Sequence, residues 1–260
     1  MPVVHGRALV QPVSVEDVAE GVARAAEGWR NARMTIDLVG PDRVPLADLL
    51  GALRGWLGLA PAPALRIPSL FAWPFALCAD LAGWLGWRSP LRSTTLRQLK
   101  AGVVGDGEVA QRVLGVKPHG LASMLASWPS GVQERWFARL YFLKPLAILT
   151  LALFWIASGI IGLVGRDAAA AILEGAGAPA LVAMAAVIAG SLLDMALGAL
   201  VLVRRRTVAA LNAMLVVSLA YLVAASIFVP GLWLDPLGPL VKIVPAALLA
   251  LVALAMMDER

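Results

Sequence analysis

Cysteine is almost missing: the one thiol, Cys78, excludes an intrachain disulfide framework and any Cys-rich metal site, both of which need at least two. Histidine is scarce as well. His5 stands near the N-terminus and His119 in a turn after Lys117-Pro118, and no Ser-His-Asp or His/Glu ligand spacing surrounds either one. Charge is thin, with 15% of the 260 residues being Asp, Glu, Lys or Arg, against roughly 25% in ordinary soluble domains. The first residues lack the apolar core of about 7 to 15 residues that a secretory signal needs, so the N-terminus is expected to stay in the cytoplasm. The net charge of +5 does not indicate nucleic acid, because the arginines are scattered and cluster only beside apolar segments, as membrane orientation requires.

What is abundant is apolar, 60% of the chain, and unevenly placed. Residues 1–135 carry most of the Arg, Asp and Glu, and residues 136–260 hold long uncharged runs. The runs 143–164, 180–203, 208–229 and 240–257 are each close to the ~20 residues that cross a ~30 Å hydrocarbon core as helix. This predicts a four-helix transmembrane bundle. Its connections are a loop over 165–179, the short Arg204-Arg205-Arg206-Thr207, and a turn rich in Pro and Gly after Pro230. Arg135, Arg139 and Lys144 precede the first run and the arginine triplet follows the second, while the first loop sets Arg166 against Asp167 and Glu174. The chain is thus expected to be a multi-pass inner-membrane protein, with the N-terminus, the triplet and the C-terminal Asp258-Glu259-Arg260 cytoplasmic.

Asp194 stands within the second run, where a carboxylate is expensive and should face the bundle interior. Ser191, Asn212, Ser218 and Tyr221 are its candidate partners. A packing hydrogen bond and a proton site both fit such a cluster. Gly159 and Gly162, with the four-spaced Gly190, Asp194 and Gly198, would allow close helix approach. Lys242 can extend to the outer interface and pair with Asp235, locking the turn to the last run.

The first half reads as incomplete α/β. A strand over 7–13 leads to Ser14 as N-cap and a helix over 15–27, with Val15, Val18, Ala19 and Val22 on its apolar face and Glu16, Asp17 and Glu20 in the first turns. A strand over 34–39, the turn Gly40-Pro41-Asp42 and a helix over 46–57 follow. Residues 65–87 are interrupted by Pro68, Pro74 and Asp80 and carry Trp73, Trp84 and Trp87. They are expected to form a broken helix pair, lying against the bilayer or roofing an apolar substrate pocket, with a true membrane span as the alternative. Gly105-Asp106-Gly107-Glu108-Val109-Ala110 matches a loose dinucleotide fingerprint, but its two carboxylates would oppose a pyrophosphate and a plain turn opening a helix is expected. Tyr141 and Lys144 are three apart instead of the four of a Tyr-x-x-x-Lys pair, and at the border of the first apolar run they are expected to be interface anchors.

Gln11-Pro12-Val13-Ser14-Val15-Glu16-Asp17-Val18-Ala19, Ile36-Asp37-Leu38-Val39-Gly40-Pro41, Leu46-Ala47-Asp48-Leu49-Leu50 and Leu114-Gly115-Val116-Lys117-Pro118 resemble the C-terminal part of an extended or atypical short-chain dehydrogenase/reductase of the NAD-dependent epimerase kind. The resemblance implies the end of a Rossmann-type sheet and its substrate lobe. The family's Gly-rich turn and Tyr-x-x-x-Lys pair lie upstream of the matched part and are not in this sequence, so this chain alone is expected to bind no cofactor, with NAD(P) expected for an intact parent. Met1 would then be an internal start, or the gene would be split.

Ser158-Gly159-Ile160-Ile161-Gly162, Leu193-Asp194-Met195-Ala196-Leu197-Gly198, Tyr221 and the turn carrying Trp233, Asp235, Pro236, Gly238, Pro239, Lys242 and Pro245 resemble a bacterial DoxX-like four-helix membrane family. That resemblance implies a small module fused behind short-chain-dehydrogenase-like domains, some relatives being tied to quinone-linked redox. Asp194 thereby becomes a candidate for a quinone headgroup. The expected protein is a membrane-anchored oxidoreductase or epimerase fragment, inactive in hydride transfer by itself, whose parent acts on a lipid or quinone-like substrate. Its expected partners are the bilayer, a quinone and a separate nucleotide-binding chain. The alternatives are a non-enzymatic membrane subunit that docks a cytoplasmic redox partner, and a small transporter that uses Asp194.

Overall fold

A computed structural model describes residues 1–28, 34–236 and 238–257. The chain divides into two compact units, one of Met1–Trp84 with Arg88–Trp136, the other of Leu85–Trp87 with the chain from Phe137 onward.

In the first unit the elements run β1 (Pro2–Val3), β2 (Leu9–Val10), α1 (Val15–Gly28), β3 (Val44–Pro45), α2 (Leu46–Trp56), β4 (Leu65–Arg66), α3 (Ser69–Trp84), α4 (Ser93–Ala101), α5 (Gly107–Leu114) and α6 (Leu121–Ser127). The strands form two separate pairs, β1 parallel to β4 and β2 antiparallel to β3. Among the described residues the unit is mainly helical.

The strand expected over 34–39 is not formed. Its neighbour is a side chain instead of a ladder: Gln11 Nε2 donates to the Gly40 carbonyl at 2.5 Å, and Gln11 Oε1 accepts from Gly105 N–H at 3.1 Å. One glutamine thus satisfies backbone groups of two segments, which a pairing strand would otherwise do.

Ser14 caps α1 by accepting from Asp17 N–H at 3.0 Å. The face that α1 buries is not the expected one. Val15 and Val22 are exposed, whereas Asp17 is 2% exposed and Gly21 is packed against Leu38. Periodicity located an apolar stripe, but the contacts of the helix chose the neighbouring stripe.

Residues 65–87 do not form a broken helix pair. After β4 a single helix, α3, continues through Pro74 to Trp84. Pro74 falls in the N-terminal half, where it removes only the bond to Leu70. Asp80 is taken up inside the unit, its Oδ1 accepting from Arg92 Nε at 3.2 Å and from Ser93 N–H at 3.4 Å.

The second unit contains α7 from its sixth residue onward (Val132–Val164 in full), α8 (Arg166–Gly175), α9 (Ala180–Leu200), α10 (Thr207–Phe228) and α11 (Pro239–Ala255), with a 3-10 turn over Pro230–Trp233. The stretch expected as a loop over 165–179 holds a helix, α8, whose Ala170 is buried. Helices α7, α9 and α10 are long and apolar enough to cross a membrane. Helix α11 is apolar but has 17 residues, about 26 Å of rise. Leu151 and Trp155 of α7, Leu197 of α9, Leu211 and Met214 of α10, and Ala250 and Ala253 of α11 share one buried cluster.

That apolar cluster occupies the half of the bundle nearest the 201–206 turn. Thr207, fully buried, closes the turn by donating to the carbonyls of Val201 and Val203 at 3.0 and 3.1 Å. In the other half Gly159, Ser191, Asp194 and Ser218 are buried along with Ala183 and Leu240.

Gly238 opens α11 at φ +57°, in the left-handed region. Gly238→Ala is expected to cost about 1 to 2 kcal/mol, read as a lowered midpoint of thermal unfolding in detergent. The expected cytoplasmic Asp258-Glu259-Arg260, like Leu237 within the turn, lies outside the described residues.

Candidate functional site

Helices α7 and α9 approach so closely that a Cβ on Gly198 would stand 2.7 Å from Ile156 Cγ1 and 2.9 Å from the Ala152 carbonyl. One on Gly159 would strike the Ser191 carbonyl and stand 2.5 Å from Met195 Cγ. This contact carries Ser158, the residue before Gly159, to the side of Asp194.

Asp194 is 7% exposed and lies six residues before the end of α9 at Leu200. Both carboxylate oxygens are engaged. Tyr221 of α10 donates its hydroxyl to Oδ1 at 3.0 Å, and Ser158 of α7 donates to Oδ2 at 3.2 Å. The Tyr221 hydroxyl also lies 3.5 Å from the Gly190 carbonyl, and Gly190 makes room for it, since a Cβ there would sit 3.1 Å from the phenolic oxygen. A single phenolic proton therefore has two acceptors to choose between.

The exposure of the three groups is unequal. Asp194 is enclosed, but Tyr221 is 37% exposed and Ser158 is exposed, both on apolar helices that present their outer faces to hydrocarbon. The enclosed carboxylate is thus bonded by two hydroxyls whose own residues are exposed.

Of the expected partners, Tyr221 joins Asp194. Ser191 is buried one turn away, with its Oγ against Gly162, and Ser218 is also buried. Asn212 does not join: it is exposed, and its Nδ2 donates to the Val208 carbonyl of its own helix at 2.9 Å. Ser158 was not among the expected partners. The legible signal was its position beside Gly159, which could place it at a helix crossing.

The turn residues lie apart from this cluster in the chain. Trp233 Nε1 donates to Ser226 Oγ at 3.0 Å, and Ser226 in turn donates to the Leu222 carbonyl at 2.7 Å, so the turn is tied to the end of α10. Asp235 and Pro236 precede Gly238, Pro239 is the first residue of α11, Lys242 lies in its first turn and Pro245 within it.

A second polar cluster lies in the first unit. Asp17 Oδ2 accepts from His119 N–H at 2.9 Å, and Oδ1 lies 2.8 Å from His119 Nδ1. Burial pushes the Asp17 carboxyl up, but the bonds from the His119 backbone and ring and from Ser14 outweigh it and hold the group below the usual carboxylate range. The cluster clamps the turn before α6 onto α1. A group lowered on folding stabilises the fold above its ordinary pKa of about 3.9, and that stabilisation is lost as pH falls through the lowered value. Protection of α1 and α6 peptides from hydrogen exchange in the full chain, taken relative to the intrinsic rate at each pH, should therefore fall below about pH 4. Asp17→Ala should lower it at neutral pH by the ~1 to 3 kcal/mol of stranding the His119 N–H.

Two other sequence candidates make local contacts. Asp106 caps α5 by accepting from Glu108 N–H at 3.0 Å. Tyr141 stacks edge-on with Phe137 and Phe142, at centroid distances of 6.0 and 5.5 Å. Among the described residues no group of three or more His, Cys, Asp or Glu could hold a metal.

Three apolar helices of spanning length, a fourth shorter one and a polar cluster enclosed between them define a multi-pass α-helical membrane protein. Residues 152–251 match the model of the DoxX-like family and form a DoxX-like domain, from within α7 to within α11. No curated protein and no solved structure matches the chain.

Proposed function

We propose that the protein is the membrane subunit of a redox system, in which Asp194, Tyr221 and Ser158 hold the polar head of a bilayer-dissolved, quinone-like molecule and exchange a proton with it. The observation that carries this reading is the enclosed carboxylate bonded by the hydroxyls of two residues that are themselves exposed on apolar helices. A headgroup carbonyl entering from the bilayer would accept from Ser158 or Tyr221 in place of Asp194. A reduced headgroup's hydroxyl could give its proton to the Tyr221 oxygen as Tyr221 passes its own to the Asp194 carboxylate, so a proton can move from headgroup to carboxylate without water. The quinone class rests on the DoxX-like domain and the redox ties its resemblance implies; the contact through the two hydroxyls rests on the geometry.

In this reading residues 1–135 dock a cytoplasmic redox partner, and the arginine triplet and the N-terminus face the cytoplasm. Among the described residues the strands form only two-stranded sheets, an arrangement compatible with a docking subunit. The short-chain-dehydrogenase resemblance is accommodated by a separate nucleotide-binding chain as that partner. Asp235 and Lys242 would serve as the lock of the outward turn. The test is titration of the full chain in lipid nanodiscs with decylubiquinone. Saturable binding is expected, and partitioning indistinguishable from empty nanodiscs would sink the reading.

A further inference from the structure

Helix α3 presents an unusual surface for a unit that contains polar and charged helices. Leu70, Phe71, Phe75, Leu77, Leu81 and Trp84 are 55–87% exposed, and Ala76 alone is buried in the helix. At 100° per residue these six side chains cover an arc of about 180°. The opposite arc holds Ala76, Asp80 and Gly83, and it is the arc that packs: Asp80 bonds Arg92 and Ser93, and a Cβ on Gly83 would lie 2.8 Å from Arg92 Nη2. The polar group of the helix is thus spent within the unit, and the outward arc is wholly apolar, far larger than the scattered apolar residues of a water-facing surface.

The alternative role for this stretch, roofing an apolar pocket, finds no support. The apolar groove of the unit, about 440 Å³, is lined by α1, α2 and α6 residues such as Leu53, Trp56, Leu121 and Trp128, and the second groove by Gln11, residues 36–39 and residues 98–105. Neither draws on α3. Nor does α3 read as a span, since 16 residues rise about 24 Å.

What lies beyond its end points to the occupant. The residues directly after α3 belong to the membrane unit: Arg204 N–H donates to the Leu85 carbonyl at 2.9 Å, Trp87 Nε1 donates to the Leu202 carbonyl at 2.6 Å, and the Arg204 guanidinium stands 5.7 Å from the Trp87 ring centre. The 201–206 turn joins two helices of membrane-spanning length, so it marks the bilayer surface, and the peptide leaving α3 is held there. Exposed Arg66 and Arg88 flank the helix, as headgroup phosphates would favour.

We infer that α3 is an in-plane helix of the same bilayer, its apolar arc lying in the acyl chains at the leaflet that the 201–206 turn borders. It would act as a second attachment, independent of the spanning bundle and of the Asp194 reading. The chain supplies its own probe, because the one cysteine, Cys78, is exposed on this arc. The full chain would be spin-labelled at Cys78 and placed in nanodiscs of phosphatidylcholine and phosphatidylglycerol, and the label's accessibility to oxygen and to a water-soluble nickel chelate compared. Greater access to oxygen than to nickel is expected at Cys78, and again at Phe75→Cys in a Cys78→Ser background. Glu108→Cys in that background, on exposed α5, gives the aqueous reference. Nickel access matching the Glu108 position would overturn the proposal in favour of a water-facing helix. Low access to both reagents would overturn it in favour of a protein partner or a second copy.

Discussion

Asp194→Asn is expected to leave the bundle folded and to weaken binding of the reduced ligand decylubiquinol, whose hydroxyl would donate to the carboxylate, by roughly 10- to 150-fold, the equivalent of ~1.5 to 3 kcal/mol for hydrogen bonds to a charged group. The exchange keeps volume and shape. Asparagine Oδ1 can still accept from Tyr221, and Ser158 can rotate to accept from the new amide, so neither hydroxyl is stranded. What disappears is the group that takes a proton. Circular dichroism and thermal unfolding in detergent should match wild type while the nanodisc titration shifts. Tyr221→Phe removes one donor and leaves the carboxylate, so it should weaken binding less. Equal affinity in wild type and Asp194→Asn would reduce Asp194 to a packing residue holding α7, α9 and α10 together.

Gly159→Leu and Gly198→Val should damage assembly itself, by about 3 kcal/mol each. At Gly198 the new Cβ would meet Ile156 N and the Ala152 carbonyl, each at 2.9 Å, and backbone atoms in a helix cannot swing aside. At Gly159 the obstacles are the Ser191 carbonyl and, at 3.0 Å, Met195 N. The helices must separate, and the contact that brings Ser158 to Asp194 is lost with them. Unfolding by sodium dodecyl sulfate would measure the loss, with Gly175→Ala in α8 as the neutral comparison, since nothing lies within 4 Å of a Cβ there. Gly190→Ala separates the two effects. Its Cβ crowds only the Tyr221 hydroxyl, so ligand binding should fall while stability changes little. Wild-type stability in Gly198→Val would refute the close crossing.

These variants also show how far the amino-acid order reaches. Gly190, Asp194 and Gly198 repeat at helical spacing, so their common face on α9 was readable from the sequence. Their separate tasks were not: Gly198 admits α7 and Gly190 admits a phenol from α10. Asn212 looked as suitable a partner as Tyr221, but it turns outward to its own helix. A polar residue in an apolar run can satisfy itself locally or across helices, and only the rotation of its helix decides. Asp17 gives the same lesson in the first unit. In the first turn of α1 a carboxylate usually meets solvent, yet the loop bearing His119, 102 residues later, covers it.

The sequence by itself determined that this chain enters a membrane and where it turns, because apolar runs of spanning length, the Pro and Gly breaks and the arginine clusters are local properties that water and lipid sort without reference to any contact. It also marked Asp194 as costly. Only the tertiary structure decided which groups offset that cost: the hydroxyls that reach Asp194 come from residues 36 and 27 positions away, on other helices. It likewise decided that α3 turns its apolar arc outward and that residues 165–179 contain a helix. A face is encoded by its periodicity, but its partner is fixed only when distant segments exclude solvent together.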